Sequence, residues 1–170
     1  MAITRLGGAN AITGTIPQGN IANASLGAVT ALPAGVGGKV LQVVSTSNAT
    51  ETTSTSTSWV NTTLTVNITP SSSSNKIYIV GSANTQSVAN EKNNLSIFRD
   101  SSNLGPANSG FGRSFNNEEL MEKATISYLD SPSTTSQVTY TLKLRSTNGG
   151  DVQINCGSSR GAITVMEVSA

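Results

Sequence analysis

Histidine is missing from this chain altogether, which removes the commonest general base and the commonest metal ligand. Most hydrolase and metalloenzyme mechanisms lose their usual central residue, and a serine nucleophile would have to be activated by lysine or a carboxylate. Cysteine is nearly missing too. Cys156 stands alone, so it can form neither an internal disulfide nor a multi-thiolate zinc site, and it is expected to be a small buried hydrophobe. Charge is scarce: 11% of residues are charged and the net charge is +1, which leaves no electrostatic footprint for nucleic acid and no polybasic patch for anionic lipid. No apolar run approaches the ~20 residues that span a bilayer, so no membrane insertion is expected. The opening MAITRLGG lacks the basic segment and apolar core of a secretory signal, and synthesis in a cytoplasm is expected.

What is there divides into two parts. Residues 1–38 are rich in Gly, Ala, Asn and Pro and carry almost no charge. Their aliphatics, Ile12, Ile16, Ile21, Leu26, Val29 and Leu32, are irregularly spaced, and Gly14, Pro17, Gly19 and Gly27 would interrupt any helix. An extended arm is the expectation. It has too little apolar surface to offset its own ordering entropy, so an ordered arm must lie on another chain or another copy of itself. Gly35 to Gly38 then act as a hinge. They are no phosphate loop, because Val40 follows Lys39 where Ser or Thr is needed and the glycines precede a strand.

From residue 39 to 170 the pattern is β. Val40 to Val44 is a strand, and Ser45 to Ser58 a Ser/Thr-rich loop or weak edge strand. Leu64, Val66 and Ile68 alternate with Thr63, Thr65 and Asn67 up to Pro70, while Ile77 to Val80, apolar on both faces, predicts a central strand covered on both sides. Leu95, Ile97 and Phe98 mark another strand, followed by a Ser/Asn/Gly/Pro loop to Gly112. Asn116 to Lys123 suggests a short helical turn, with Asn117 as cap and Glu118 and Glu119 near its N-terminus. The clearest unit is Lys123 to Ser146, where Ile126 and Tyr128, then Val138, Tyr140, Leu142 and Leu144, alternate with polar residues around Asp130-Ser131-Pro132. It reads as a β-hairpin. After a glycine turn at Asn148-Gly149-Gly150 come Val152, Ile154 and Ala162 to Val168. About eight strands at these intervals predict an all-β, antiparallel β-sandwich of jelly-roll-like type.

Little in this pattern promises chemistry. Glu118, Glu119 and Glu122 could hold a cation only if other loops completed six to eight oxygen ligands, and a solvated acidic face is the expectation. Asp130 and Asp151 sit in turns. No catalytic residue, metal or cofactor is expected, and the chain reads as a module that binds or builds, not an enzyme. Tyr78, Tyr128, Tyr140 and Phe98 fall in strands, as core or subunit-interface residues. Phe111 and Phe115 flank Arg113 in the long loop, and loop aromatics are the usual anchors for a partner. Phe111, Arg113 and Phe115 are therefore the candidate recognition loop.

The segments GGKVLQVVSTS, ITPSSSSNKIYIV, ATISYLDSPSTTSQVTYTLKLRS and GAITVMEVSA resemble recurrent segments of small virion proteins and tail-fibre-like proteins of tailed bacteriophages, notably phages of cyanobacteria. The arm, GTIPQGNIANASLGAVTALPAG, similarly resembles the shaft or attachment segments that precede such domains. The resemblance implies a homotrimeric virion component whose N-terminal arm, through Ile12, Ile16, Pro17, Ile21, Leu26, Val29 and Leu32, anchors it to the particle or to its sister subunits. The implied partners are other copies of itself, neighbouring virion proteins and a host-surface glycan. The chain is short for a fibre, and capsid decoration is the alternative role.

Overall fold

The computed structural model describes residues 39 to 115 and 120 to 170, with the backbone alone at Phe115 and Leu120. The proposed arm residues, from Ile12 to Leu32, and the hinge at Gly35 to Gly38 lie outside the described residues, as does the first half of the expected helical turn. All regular structure described is β: β1 (Val40–Asn48), β2 (Thr52–Ser54), β3 (Val60–Ile68), β4 (Lys76–Ser87), β5 (Lys92–Arg99), β6 (Ser102–Asn103), β7 (Gly112–Phe115), β8 (Leu120–Asp130), β9 (Val138–Ser146), β10 (Val152–Ile154) and β11 (Gly161–Val168). Leu120 to Lys123 is strand where helix was expected. Its residues extend the ladder of β8 on β4 as far as Leu120 opposite Ser87, and pairing over a whole strand outweighs one marginal helical turn.

Two antiparallel sheets result. In the first, β4 pairs with β8 on one side and with β11 and β10, end to end, on the other; β1 and β2 pair in turn with β11 and β10. In the second, the order is β3, β9, β5, with β6 and β7 sharing the far side of β5. Merging the collinear pairs β1/β2, β6/β7 and β10/β11 leaves eight strands in chain order, arranged 1-8-3-6 and 2-7-4-5. That is the jelly roll, a two-sheet antiparallel sandwich.

The expected hairpin is a crossing between sheets. β8 pairs with β4 in the first sheet, whereas β9 pairs with β3 and β5 in the second. The alternation was sound, since Val138, Tyr140, Leu142 and Leu144 are all buried. The partner was not, because alternation fixes which face a strand buries and is silent on its neighbour. Asp130 anchors the crossing: Arg99 Nη1 donates to it at 2.8 and 2.9 Å and the Tyr140 hydroxyl at 2.7 Å. Burial, then this hydrogen bond, pushes the Tyr140 phenol far above its ordinary value.

The core lies between the sheets, built from Leu64, Val66, Ile77, Ile79, Leu95, Ile97, Leu142, Leu144, Ile163 and Val165 among others. At Gly81 the sheets come so close that a Cβ would stand 2.7 Å from Leu142 Cδ2. Cys156 is buried, as expected, and burial pushes its thiol pKa up. β4 runs seven residues beyond its apolar start, Ile77 to Val80. In that half it faces the core with Ala83, Thr85 and Ser87, small side chains that give no hydrophobic signal. β4 is central, but its outer face is not covered among the described residues: Tyr78 is 38% exposed.

Two glutamates are buried at opposite ends of β4. Glu167, fully buried, accepts from Gln42 Nε2 at 2.6 Å, Asn75 Nδ2 at 2.6 Å, and the Ser71 amide and hydroxyl at 2.7 and 2.8 Å. Glu91 accepts from the amides of Lys92, Thr147, Asn148 and Gly150 at 2.7 to 3.0 Å, gathering the turn in which Gly149 takes the expected positive φ, 94°. Burial would raise both pKa values. The hydrogen bonds to the charged forms outweigh it and hold each at about 2, against an ordinary 4.5.

A depressed carboxylate pKa contributes stability that is complete above the unfolded value and disappears as pH falls through the folded one. Stability should therefore fall between pH 4.5 and about 2, by on the order of 1–2 kcal/mol per glutamate after discounting for solvent screening. Urea midpoints across that range check it. Glu167→Gln should lower the midpoint at pH 7 and flatten its pH dependence.

Candidate recognition cleft

The loop after β5 folds back over the second sheet. β5 is buried on both faces: Asn93, Leu95 and Ile97 point to the core, and Asn94, Ser96 and Phe98 point outward, beneath the loop and the side chains beside it. Ser96 Oγ donates to Asn103 Oδ1 at 2.6 Å, and the Trp59 indole N–H donates to the Ala107 carbonyl at 2.8 Å. Phe98 meets Trp59 edge-on at 5.7 Å, with the Lys143 ammonium 4.1 Å from its ring centroid. The loop ends at Gly110, whose φ is +60° and where a Cβ would run into the Leu95 carbonyl and the Trp59 ring. Only glycine fits there.

This turn delivers the predicted recognition residues to the side of the sandwich where β7 and β8 form the edges of their sheets. The Phe111 amide donates to the Leu95 carbonyl at 2.9 Å. Its ring is half-buried, packs against the core and lies 5.1 Å from the Tyr128 ring. Arg113 is exposed, with Nε donating to Asn94 Oδ1 at 2.9 Å. Phe115 pairs through its backbone with Lys92. Phe111 is thus part of the core's rim and borders the cleft beside it.

Beside it is a cleft of about 280 Å³. Phe111, Gly112, Arg113 and Ser114 form one wall, Glu122 to Ile126 of β8 the other, and Thr85, Asn93 and Leu95 line the interior. The Asn93 amide nitrogen donates to the carbonyls of Gln86 at 3.1 Å and Gln153 at 2.8 Å. Its oxygen is buried and has no hydrogen-bond partner among the described residues. Around the cleft stand the Phe111 ring, apolar Leu95, Ala124 and Ile126, Glu122 and the buried Asn93 oxygen, while strand alternation turns Lys123 and Thr125 to the outer face of the first sheet and Arg113, bonded to Asn94, to the outer face of the second. Asn93 could not be singled out from sequence in a chain so rich in asparagine. Glu122, expected on a solvated acidic face, stands in the cleft wall, while Glu118 and Glu119 lie outside the described residues. Among the described residues no three acidic or thiol side chains gather as a metal site, and no helix is long and apolar enough to cross a membrane.

A second surface stands out on the outer face of the first sheet. The ladders place Val43 opposite Met166, Met166 opposite Tyr78 and Tyr78 opposite Leu129, an apolar row across four strands. Val43 is 56% and Leu129 47% exposed. Val40 and the bulged Leu41 extend it toward Lys39, each about half exposed. Neither a scan against protein-family models nor a search of curated proteins finds a match to the chain.

Gly110→Ala should destabilise the protein by about 2 kcal/mol or more, from a residue forced to positive φ and into its neighbours. Trp59 is the sole tryptophan, so its emission should shift to the red as the loop detaches. An unchanged spectrum and melting temperature would contradict the packing described.

Proposed function

We propose that this protein is a structural component of a phage virion, of the tail-fibre type, a homotrimer anchored through residues 1–38 and contributing to host-surface adhesion. The observation that carries the assembly half is the apolar row Val43, Met166, Tyr78 and Leu129 on the outer face of the first sheet, in a chain rich in Ser, Thr and Asn. A contiguous exposed apolar patch marks a surface that meets another macromolecule, and copies of this chain or neighbouring virion proteins are the partners the reading names. The jelly roll agrees, being a scaffold that recurs in viral capsid and lectin domains, although a fold alone assigns no function. The phage-like segments of the sequence supply the virion, and the cleft beside Phe111 supplies a place for adhesion. The role is structural and not catalytic.

Immunogold labelling of purified particles tests the reading directly, with label expected on tail fibres. Label spread over the shell would favour capsid decoration, and its absence from particles would end both versions. Deleting residues 1–38 should leave a folded β unit that no longer joins the particle. A trimeric mass is expected for the full chain, and Val43→Glu with Leu129→Glu should lower that mass while leaving the circular dichroism spectrum unchanged.

A further inference from the structure

We infer that the free edge of β8 pairs, antiparallel, with the free edge of β1 in a second copy of this chain, so that the first sheet runs on from copy to copy. The inference rests on the assembly half of the reading above and names the contact that makes it. Its starting point is what the two edges lack. Sheet edges that stay single are guarded by charge, proline, a bulge or a cover. β8 pairs with β4 alone, in unbroken register from Leu120 to Asp130, and Ala124 to Leu129 contain neither charge nor proline. β1 pairs with β11 alone, and past its bulge at Leu41 the run Gln42 to Asn48 is equally free of both. Among the described residues neither edge has a second strand beside it.

Polarity narrows the partner. β1 and β4 both run antiparallel to β11, and β8 runs antiparallel to β4, so the two edges of this sheet point in opposite directions. A copy set beside the first in the same orientation therefore brings its β1 to β8 antiparallel, ready for a perpendicular ladder. The exposed apolar row picks the register. Val43, Met166, Tyr78 and Leu129 lie opposite one another in turn, and continuing the row sets Val43 of the second copy opposite Leu129. Each is about half exposed in the single chain, and in the pair each covers the other. The inner side agrees. There the same register sets Val44 opposite Tyr128 and Thr46 opposite Ile126, β-branched residues against an aromatic and an aliphatic one, as stable cross-strand pairs are built. A slip of one residue would turn Val43 to the face opposite Leu129. Two copies of β8 meeting about a two-fold axis are the competing arrangement. That contact is satisfied within a pair, whereas a ring of three needs two different edges that fit each other.

The test is disulfide trapping in the full-length protein, with Cys156→Ala removing the one native thiol and circular dichroism checking the fold. On brief oxidation at micromolar concentration, Val43→Cys with Leu129→Cys in one chain should give covalent species up to a trimer, and neither single substitution should give any. A cross-link from either single substitution would mean that like meets like and would overturn the inference. A trimeric mass with no cross-link in the double variant would also overturn it, leaving the homotrimer on another contact, while a monomeric mass with no cross-link removes both. Charge gives a second reading without thiols. Ser45 and Ser127 face each other in the proposed register, and like charges directly opposite destabilise a sheet. Ser45→Lys with Ser127→Lys should shift the mass from trimer toward monomer, and Ser45→Lys with Ser127→Glu should restore the trimer. Within one chain the two positions stand three strand spacings apart, ~14 Å, beyond the ~8 Å reach of exposed charges in physiological salt, so only copies side by side sense the swap. Equal masses for the two variants would contradict the register. Particle labelling separates the two levels: a cross-linked trimer of a protein absent from particles removes the virion reading alone.

Discussion

The burial of two carboxylates at opposite ends of β4 is the constraint on which the rest of the sandwich depends. An ionised group can leave water only if its lone pairs are met, and here they are met by the loops themselves. Glu167 draws in Gln42 from β1 and the Ser71 to Asn75 turn; Glu91 draws in the amides between Thr147 and Gly150. Each glutamate thus fixes a connection between the two sheets from the inside. Asp130 does similar work at the crossing from β8 to β9, with a cation, Arg99, and a phenol in place of amides. A surface so poor in charge is consistent with this economy, since three of its nine acidic residues are spent on holding turns.

How much was legible from sequence depended on whether the deciding interaction was local. The alternation in Val138 to Leu144 and in Leu64 to Ile68 reports one buried and one wet face, and both strands are where the pattern puts them. The second half of β4 was hidden because Ala83, Thr85 and Ser87 bury too little apolar surface to mark a strand, and the reason they are small is the facing sheet, which sequence does not display. The same blindness made a hairpin of β8 and β9. Asp130-Ser131-Pro132 does mark a change of direction, but whether the chain returns to its own sheet or crosses to the other is decided by residues as distant as Arg99 and Ile77. At the cleft, Phe111 and Arg113 could be found because an aromatic in a Gly/Ser loop is unusual. Asn93 could not, since what distinguishes it is an unanswered oxygen.

The two surfaces differ in kind. The row from Val43 to Leu129 is flat, apolar and regular, a property of strand register that any flat protein surface could meet. The cleft is concave and chemically mixed, and its walls come from the edges of two sheets, so its shape depends on how the sheets are held apart. Gly112 against Ile126 and Phe111 against Tyr128 set that spacing, and these contacts belong to packing as much as to recognition.

The hydrogen bond from the Ser169 amide to the Lys39 carbonyl, at 2.8 Å, closes the β1–β11 ladder at the point where residues 1–38 join the sandwich. The cleft lies toward the other end of the strands, beside Thr85 and Glu122. A load applied between these two ends would therefore run along the strands. Hydrogen bonds in an antiparallel ladder stand perpendicular to the strand axis, so tension in that direction shears the β1–β11 bonds together and does not peel them one by one. A sheet loaded end to end in this way resists as a block of bonds, where one peeled from its edge gives way bond by bond.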